Sequence, residues 1–397
     1  MTERLYHTDC YLRQFTARIA GLSDDGLSVR LDRTAFYPTS GGQPDDRGTL
    51  AGIPVVGVAE DQSDIVHQLA SPLAAGPADR IVECAIDWER RFDHMQQHTG
   101  QHLLSAVFEA RCGLKTASFH MGAESSAIDL EGHLDPRAAA EAEAGANRIV
   151  CENRPVAIAF EEAAQAQGLR KASDRQGALR IVSIRDLDRS ACGGTHVRST
   201  GEIGVVLLRK LEKVRQSVRV EFLCGSRGVR RARADYESLS RTAQVFSAPP
   251  GEVPALAAAQ LEAARAHDKA LRKLELELAA CQGRDLYQST APDAGGFRPV
   301  ARRAAGGSLE NLRAIAQSFT AQPKAVFLAA LADPPSVLLA VSADASLDAG
   351  QLLKAALAEA GGRGGGTPRM AQGSVPGAAD LDRVVARLTA ESGGGER

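Results

Sequence analysis

Two short segments constrain this chain more than any other part of it. His98-Thr99-Gly100-Gln101-His102 and Cys192-Gly193-Gly194-Thr195-His196 each carry two metal-type ligands four residues apart. The first lies in a run of helical period: Phe92, Met95, Leu103, Leu104, Val107 and Phe108 fit one helix ended by Gly113. Positions i and i+4 share a helix face, so His98 and His102 can grip one ion. In the second segment two glycines let the backbone fold tightly enough for Cys192 and His196 to reach one ion. Imidazole and thiolate are donors that zinc accepts, usually in a tetrahedron. A site closed by segments about ninety residues apart demands a folded domain between them.

The letters inside the motifs exclude two zinc chemistries. A metalloprotease helix needs His-Glu-x-x-His, and Thr99 follows His98. A nucleobase deaminase needs a glutamate two residues after its histidine and a Cys-x-x-Cys pair; Gly100 holds that place and no such pair exists. His94, one turn before His98, reads as a neighbour on the helix face. Four protein ligands argue for a closed structural zinc, whereas a catalytic one keeps an open position. A labile ligand or an expanded coordination shell would open it, and both readings stand on the spacing.

The rest of the chain is α+β in pattern. With 397 residues, 44% hydrophobic and 24% charged, it has the composition of a soluble globular protein of two to three domains. Residues 1–88 read as an N-terminal β-barrel-like domain. Phe15–Ile19 and Leu27–Leu31 alternate around the turn Ser23-Asp24-Asp25-Gly26. Residues 89–228 read as an α/β zinc-binding domain, with strand over Thr116–Leu130, helix over Pro136–Asn153, a strand at Ile181–Ile184 and a closing hairpin. Residues 229–285 read as a helical segment: a long helix or helical hairpin, interrupted in its apolar stripe by Asp268 and ended by Gly283. Residues 286–397 read as a last α/β unit. Its strands lie at Val326–Leu331 and Val337–Val341, its helix at Ala349–Ala360, and a disordered tail runs over Glu391–Arg397.

Net charge is −2, so any basic surface is local, as around Arg227–Arg233. Seven cysteines, scattered and odd in number, do not make a disulfide framework and point to a reducing compartment. The first residues lack a signal-peptide apolar core, and no apolar run approaches a membrane span. A cytoplasmic protein without membrane contact is expected. The helical segment permits a homodimer without requiring one.

His98-x3-His102 with Cys192-x3-His196 resembles the editing domain of alanyl-tRNA synthetases and of their free-standing relatives, the AlaX proteins. Thr34–Gly48, with Gly41-Gly42-Gln43, is similar to the glycine-rich motif of the barrel domain that precedes it. Gly361–Gly366 with Met370–Gly373 is similar to the glycine-rich segment of the C-terminal DHHA1-type domain. The three motifs fall in the family's order and span nearly the whole chain. Nothing before Thr34 leaves room for an aminoacylation domain. The resemblance therefore implies a free-standing editing hydrolase of the longer type, with Zn2+ held by His98, His102, Cys192 and His196. Its partner would be tRNA(Ala) mischarged with serine or glycine. The rival is a zinc-stabilised tRNA-binding module without catalysis.

An apolar pocket rejects a hydroxyl poorly, whereas a site built to bond one discriminates well. Thr116 and Ser118 stand on the strand where the family places such a group. Asp129 matches an acidic position of the family. Gln43 and the Gly41-Gly42 turn would approach the tRNA terminus or the metal. Lys210, Lys213, Arg215, Arg227, Arg230, Arg363 and Arg369 are candidate phosphate contacts. Beside these roles stand plain ones: strand polar residues, turn glycines, a solvated charge run and, for Gly361–Gly366, a flexible loop.

Overall fold

Asp87 starts the helix around which the first half of the molecule is organised. In the computed structural model, which describes residues 1–74, 76, 80–174 and 176–392, the chain divides into two units, Met1–Gln244 and Val245–Arg397.

The first unit opens with eight strands: β1 (Glu3–Arg4), β2 (Gln14–Leu22), β3 (Ser28–Leu31), β4 (Arg33–Thr34), β5 (Gly48–Leu50), β6 (Ile53–Asp61), β7 (Asp64–Leu69) and β8 (Ile81–Ile86). β1 and β4 form a short parallel pair, and the other six close into a barrel in the order β2-β3-β7-β6-β5-β8. Alternate residues such as Val29, Leu31, Val82, Cys84 and Ile86 fill its core, as period 2 requires.

Helix α1 (Trp88–Cys112) follows at once. The Asp87 side chain caps its start by accepting from Arg90 N at 3.2 Å. Gly113, at φ 68°, ends it in the left-handed conformation and bonds back to Glu109 and Phe108 carbonyls. Leu103, Leu104, Val107 and Phe108 pack with Ile128, Leu130, Val220 and Phe222 in one core.

Around α1 stand β9 (Thr116–Met121), β10 (Ser126–Glu131), α2 (Pro136–Cys151), β11 (Val156–Glu162), β12 (Ala178–Ile184), β13 (Asp188–Ala191), β14 (Val206–Val214), β15 (Ser217–Cys224) and α3 (Gly225–Phe246). They make a sheet ordered β14-β15-β10-β9 and a second ordered β11-β12-β13. The strand expected over Thr116–Leu130 is thus an antiparallel hairpin. Barrel and helix are locked by Arg91, fully buried, whose guanidinium pairs with buried Asp46 and donates to Cys10 O at 2.9 Å. A buried ion pair holds only when such extra bonds complete it.

In the second unit come α4 (Val253–Ser289), β16 (Arg298–Ala304), α5 (Leu309–Thr320), β17 (Ala325–Leu331), β18 (Ser336–Val341), α6 (Ala349–Glu359), β19 (Arg363–Thr367), β20 (Met370–Ser374) and α7 (Ala378–Ser392). The sheet order is β16-β17-β18-β20-β19. β17 explains its unbroken apolar run: Ala325, Phe327 and Ala329 face the core with α4 and α5, and Val326, Leu328 and Ala330 the core with α6 and α7. Among the described residues no helix is long and apolar enough to cross a membrane.

One open reading is decided and two expectations are corrected. The helical stretch, read as a long helix or a helical hairpin, is two helices rather than one, α3 and α4, parted where Pro249 and Pro250 remove backbone donors. Gly283 does not end α4, which runs on to Ser289; it is buried where α5 passes, and a Cβ there would meet Ile315 O at 2.4 Å. Gly361–Gly366 is mostly edge strand β19, with Gly364 registered against Gly373. A Cβ on Gly364 would meet Gln372 O at 2.5 Å, so the glycine serves strand packing rather than looseness. Of the expected tail, Glu391 and Ser392 close α7, and 393–397 lie outside the described residues.

Candidate metal centre

One ligand atom from each of His98, His102, Cys192 and His196 lies within 4.8 Å of the others. Helix α1 supplies two, as the four-residue spacing predicts, and the loop after β13 the other two. The histidines are buried at 2–4% exposure. Cys192 Sγ is 3.5 Å from His98 Nε2 and 3.3 Å from His196 Nε2. The set could hold a metal ion. His94 is not in it; buried, one turn below His98, it has an unpartnered Nδ1.

The loop is shaped by what a side chain would strike. A Cβ on Gly194 would sit 2.2 Å from His98 Cε1. Arg180 donates to Cys192 O at 2.6 Å and Gly194 O at 2.9 Å, pinning the loop from β12.

Behind each imidazole stands a partner for its other nitrogen. Gln43 Oε1 lies 2.8 Å from His98 Nδ1, Asp188 Oδ2 2.8 Å from His102 Nδ1, and Thr99 Oγ1 3.1 Å from His196 Nδ1. A carboxamide or carboxylate oxygen only accepts here, so Nδ1 of His98 and His102 carries the proton and Nε2 is free to bind.

Electrostatics agree with cation binding. Burial opposes a charged thiol, yet His98 and His196 hold Cys192 well below its ordinary value. Burial also opposes a charged His102, but its bonds to Asp188 and Cys192 raise it to about 9. Burial and neighbouring His98 bring His196 down to about 3. A thiolate facing a protonated imidazole is the charge pattern that a bound cation replaces, with release of the proton.

A cavity of about 700 Å³ opens against His98, His102 and Cys192, walled by Tyr37, Thr116, Ser118, Arg170 and Arg180 among others. Thr116 Oγ1 lies 2.7 Å from Ser105 Oγ, which also accepts from Gln101 Nε2 at 2.8 Å. Ser118 Oγ donates to Asp129 Oδ2 at 2.6 Å. Asp129 is clamped by Arg219 at 2.7 and 2.9 Å, and that bond first, then burial opposing it and Ser118 assisting, leaves its carboxyl at about 2.

The expected residues therefore divide. Thr116 and Ser118 face the cavity. Asp129 stands behind Ser118. Gln43 is fully buried and touches His98 and Thr195 rather than the cavity. Arg227 is overturned as a phosphate contact: it is buried and spends its guanidinium on Asp93 at 2.8 and 2.9 Å. Asp188, Thr99, Arg170 and Arg180 were not foreseen. Asp188 had a legible signal, since residues 188, 190 and 192 share one side of an extended run that ends at a ligand.

Known sequences agree with this geometry. The family model of the threonyl and alanyl tRNA synthetase second additional domain matches residues 179–220, which hold Cys192 and His196. The DHHA1 domain model matches residues 300–392. An alanyl-tRNA editing protein AlaX-L of Pyrococcus horikoshii is 32% identical over 389 residues, covering 94% of this chain and 95% of its own. The alanyl-tRNA editing protein AlaX-M of Methanosarcina acetivorans is 38% identical over 240 residues, 55% of this chain and 97% of its own. The alanine–tRNA ligase of Pyrococcus furiosus is 31% identical over 392 residues, and there the chain spans 42% of the relative's length.

Proposed function

The chain belongs to the alanyl-tRNA editing protein family, and from that premise we propose that it is a trans-editing hydrolase. It deacylates tRNA(Ala) mischarged with serine, and less readily with glycine, by zinc-dependent hydrolysis of the aminoacyl ester. One observation carries the reading: three members of a four-residue set of metal-type ligands, His98, His102 and Cys192, line a cavity that Thr116 and Ser118 also line.

The donor set fits zinc. Bonds of about 2.3 Å to sulfur and about 2.0 Å to nitrogen give a tetrahedron with S···N edges of about 3.5 Å. Two of the three such separations, from Cys192 to His98 and to His196, are 3.5 and 3.3 Å. His98, His102, Cys192 and His196 would hold the ion, which when bound supplies a template for the aminoacyl-ribose end and Lewis-acid polarisation.

The chain's own groups supply selectivity. Ser118 gives its proton to Asp129, so it offers the cavity oxygen lone pairs. Thr116 does the same if its proton serves Ser105. A seryl hydroxyl donates to such an acceptor. An alanyl methyl cannot, and would leave the acceptor dry. Glycine fits the space but forms no such bond. Lys171 on the cavity wall and exposed Arg230 are suited to backbone phosphates.

We assign the activity to the cytoplasm, in keeping with seven free cysteines. Exposed Leu271, Leu274 and Leu278 on α4 offer a face for a homodimer.

The test is deacylation of Ser-tRNA(Ala), Gly-tRNA(Ala) and Ala-tRNA(Ala), each with and without a chelator. Chelator-sensitive loss of the seryl ester with alanyl ester spared is expected. Tight binding of the tRNA with no turnover would instead favour a zinc-stabilised binding module. Equal loss of alanine would overturn the specificity.

A further inference from the structure

We propose that Asp188 is a positioning residue that makes His102 the strongest of the three imidazole ligands, with Arg170 holding Asp188 in place. The proposal rests on the reading of the four-residue cluster as a zinc site.

The three outer partners are not equivalent. Gln43 offers His98 a neutral carboxamide oxygen at 2.8 Å, and Thr99 offers His196 a hydroxyl at 3.1 Å. Asp188 alone offers a carboxylate, at 2.8 Å from His102 Nδ1. Hydrogen bonds to an ionised acceptor are roughly twice as strong as neutral ones. Such a bond polarises the ring, fixes its tautomer and raises the basicity of the nitrogen that faces the ion.

Asp188 is built to stay where it is. Its side chain is fully buried, and both carboxylate oxygens are committed. Oδ2 serves His102, Oδ1 accepts from Arg170 Nε at 2.6 Å, and Ser190 Oγ lies 3.1 Å from each. Arg170 Nη2 also donates to Ser190 Oγ at 3.3 Å. A buried carboxylate needs a compensating cation, and Arg170 supplies it. Arg170 is itself anchored, its backbone N–H donating to Arg189 O at 2.8 Å. A residue between β11 and β12 thus sets the position of a ligand on α1.

The test uses the full chain and reads zinc affinity rather than turnover. Zinc dissociation constants are measured by competition with a chromophoric chelator for wild type, Asp188→Asn, Asp188→Glu and the double variant Arg170→Gln/Asp188→Asn. Cobalt is loaded in parallel, and its visible spectrum reports the ligand field. Asp188→Asn is expected to weaken zinc about 10- to 100-fold and to shift the cobalt bands. Asp188→Glu should recover most of that loss. The double variant, which leaves no unpaired charge, should fold and still bind weakly. A folded Asp188→Asn or double variant that binds zinc like wild type overturns the proposal, as does an Asp188→Glu variant no better than Asn. A wild-type chain that takes up no zinc defeats the metal reading itself, before any variant is compared.

Discussion

Gln43 Oε1 accepts a 2.8 Å hydrogen bond from His98 Nδ1, and accepts another from Thr195 N at 3.1 Å. Its Nε2 donates to Thr195 Oγ1 at 2.8 Å. One barrel side chain therefore ties the helical ligand pair to the loop pair. Gly42 makes the approach possible: at φ 83°, a Cβ there would meet Phe119 O at 2.7 Å.

Gln43→Leu should follow from that relationship. It removes all three bonds while keeping the volume, leaving His98 Nδ1 and Thr195 without these partners. Zinc affinity should fall about 10- to 100-fold in a chelator competition, with the barrel intact by circular dichroism. Unchanged affinity would mean that Gln43 serves only the loop.

Gly194→Ala is a harsher test of the same loop. The added Cβ would lie 2.2 Å from His98 Cε1 and 2.4 Å from its Nδ1. Either the ring or the loop must leave the cluster. Metal analysis of the purified variant should give far less than one zinc per chain. Full occupancy would show that the loop has room to shift.

How much of this was legible follows from range. The ligand pairs are local, so an i, i+4 spacing and a Gly-Gly turn disclosed them. Their outer partners are not. Gln43 reaches His98 across 55 residues, Asp188 reaches His102 across 86, and Thr99 reaches His196 across 97. No period or turn signal carries such pairings. Asp268 read as a break in the stripe of α4 only because a buried face was assumed; the helix there is exposed, and a polar residue costs it little. The Gly361–Gly366 run read as loose because an isolated glycine string is loose. In the sheet its missing side chains are what let Met370–Ser374 lie alongside.

Thr116→Val tests selectivity. It keeps shape and removes the oxygen that the seryl hydroxyl would meet. Loss of one such bond costs about 1–3 kcal/mol, or roughly 5- to 150-fold in kcat/KM. The loss should fall on Ser-tRNA(Ala) and spare Gly-tRNA(Ala), which has no hydroxyl. Equal loss on both would assign Thr116 a structural part only.

His67 gives the barrel a pH limit. It is fully buried, its Nδ1 bonds Val29 O at 3.1 Å and its Nε2 meets Thr34 Oγ1 at 2.8 Å. Burial lowers it to about 4. Between about pH 6.5 and 4 the unfolded chain takes a proton that the fold refuses. Stability therefore falls as pH drops through that window, by about 3 kcal/mol for this group, and is fully retained above it. Trp88, the single tryptophan, reports unfolding of the first unit by fluorescence. His67→Phe should flatten the acid slope of the urea midpoint, leaving the part owed to His7, His94 and His196, lowered to about 4, about 3 and about 3. An unchanged slope would clear His67 of the effect.

Gly283→Ala sets two magnitudes against each other in the second unit. In a free helix, alanine for glycine gains about 1 kcal/mol. Here the added Cβ would lie 2.4 Å from Ile315 O, 2.7 Å from Ser318 Cβ and 3.1 Å from Phe319 N. Two of those are backbone atoms of α5, which cannot turn aside as a side chain can. Helix α5 is also fastened at that level, Ser318 Oγ donating to Ala280 O at 2.6 Å, and further along by Arg272 on Glu310 at 2.8 Å. Overpacking of a fixed contact costs about 1–3 kcal/mol, so the clash should outweigh the propensity gain. Calorimetry on the full chain should show the second unit destabilised by about 1 kcal/mol. A stabilised variant would mean that α5 yields and that Gly283 is there for some reason other than close approach.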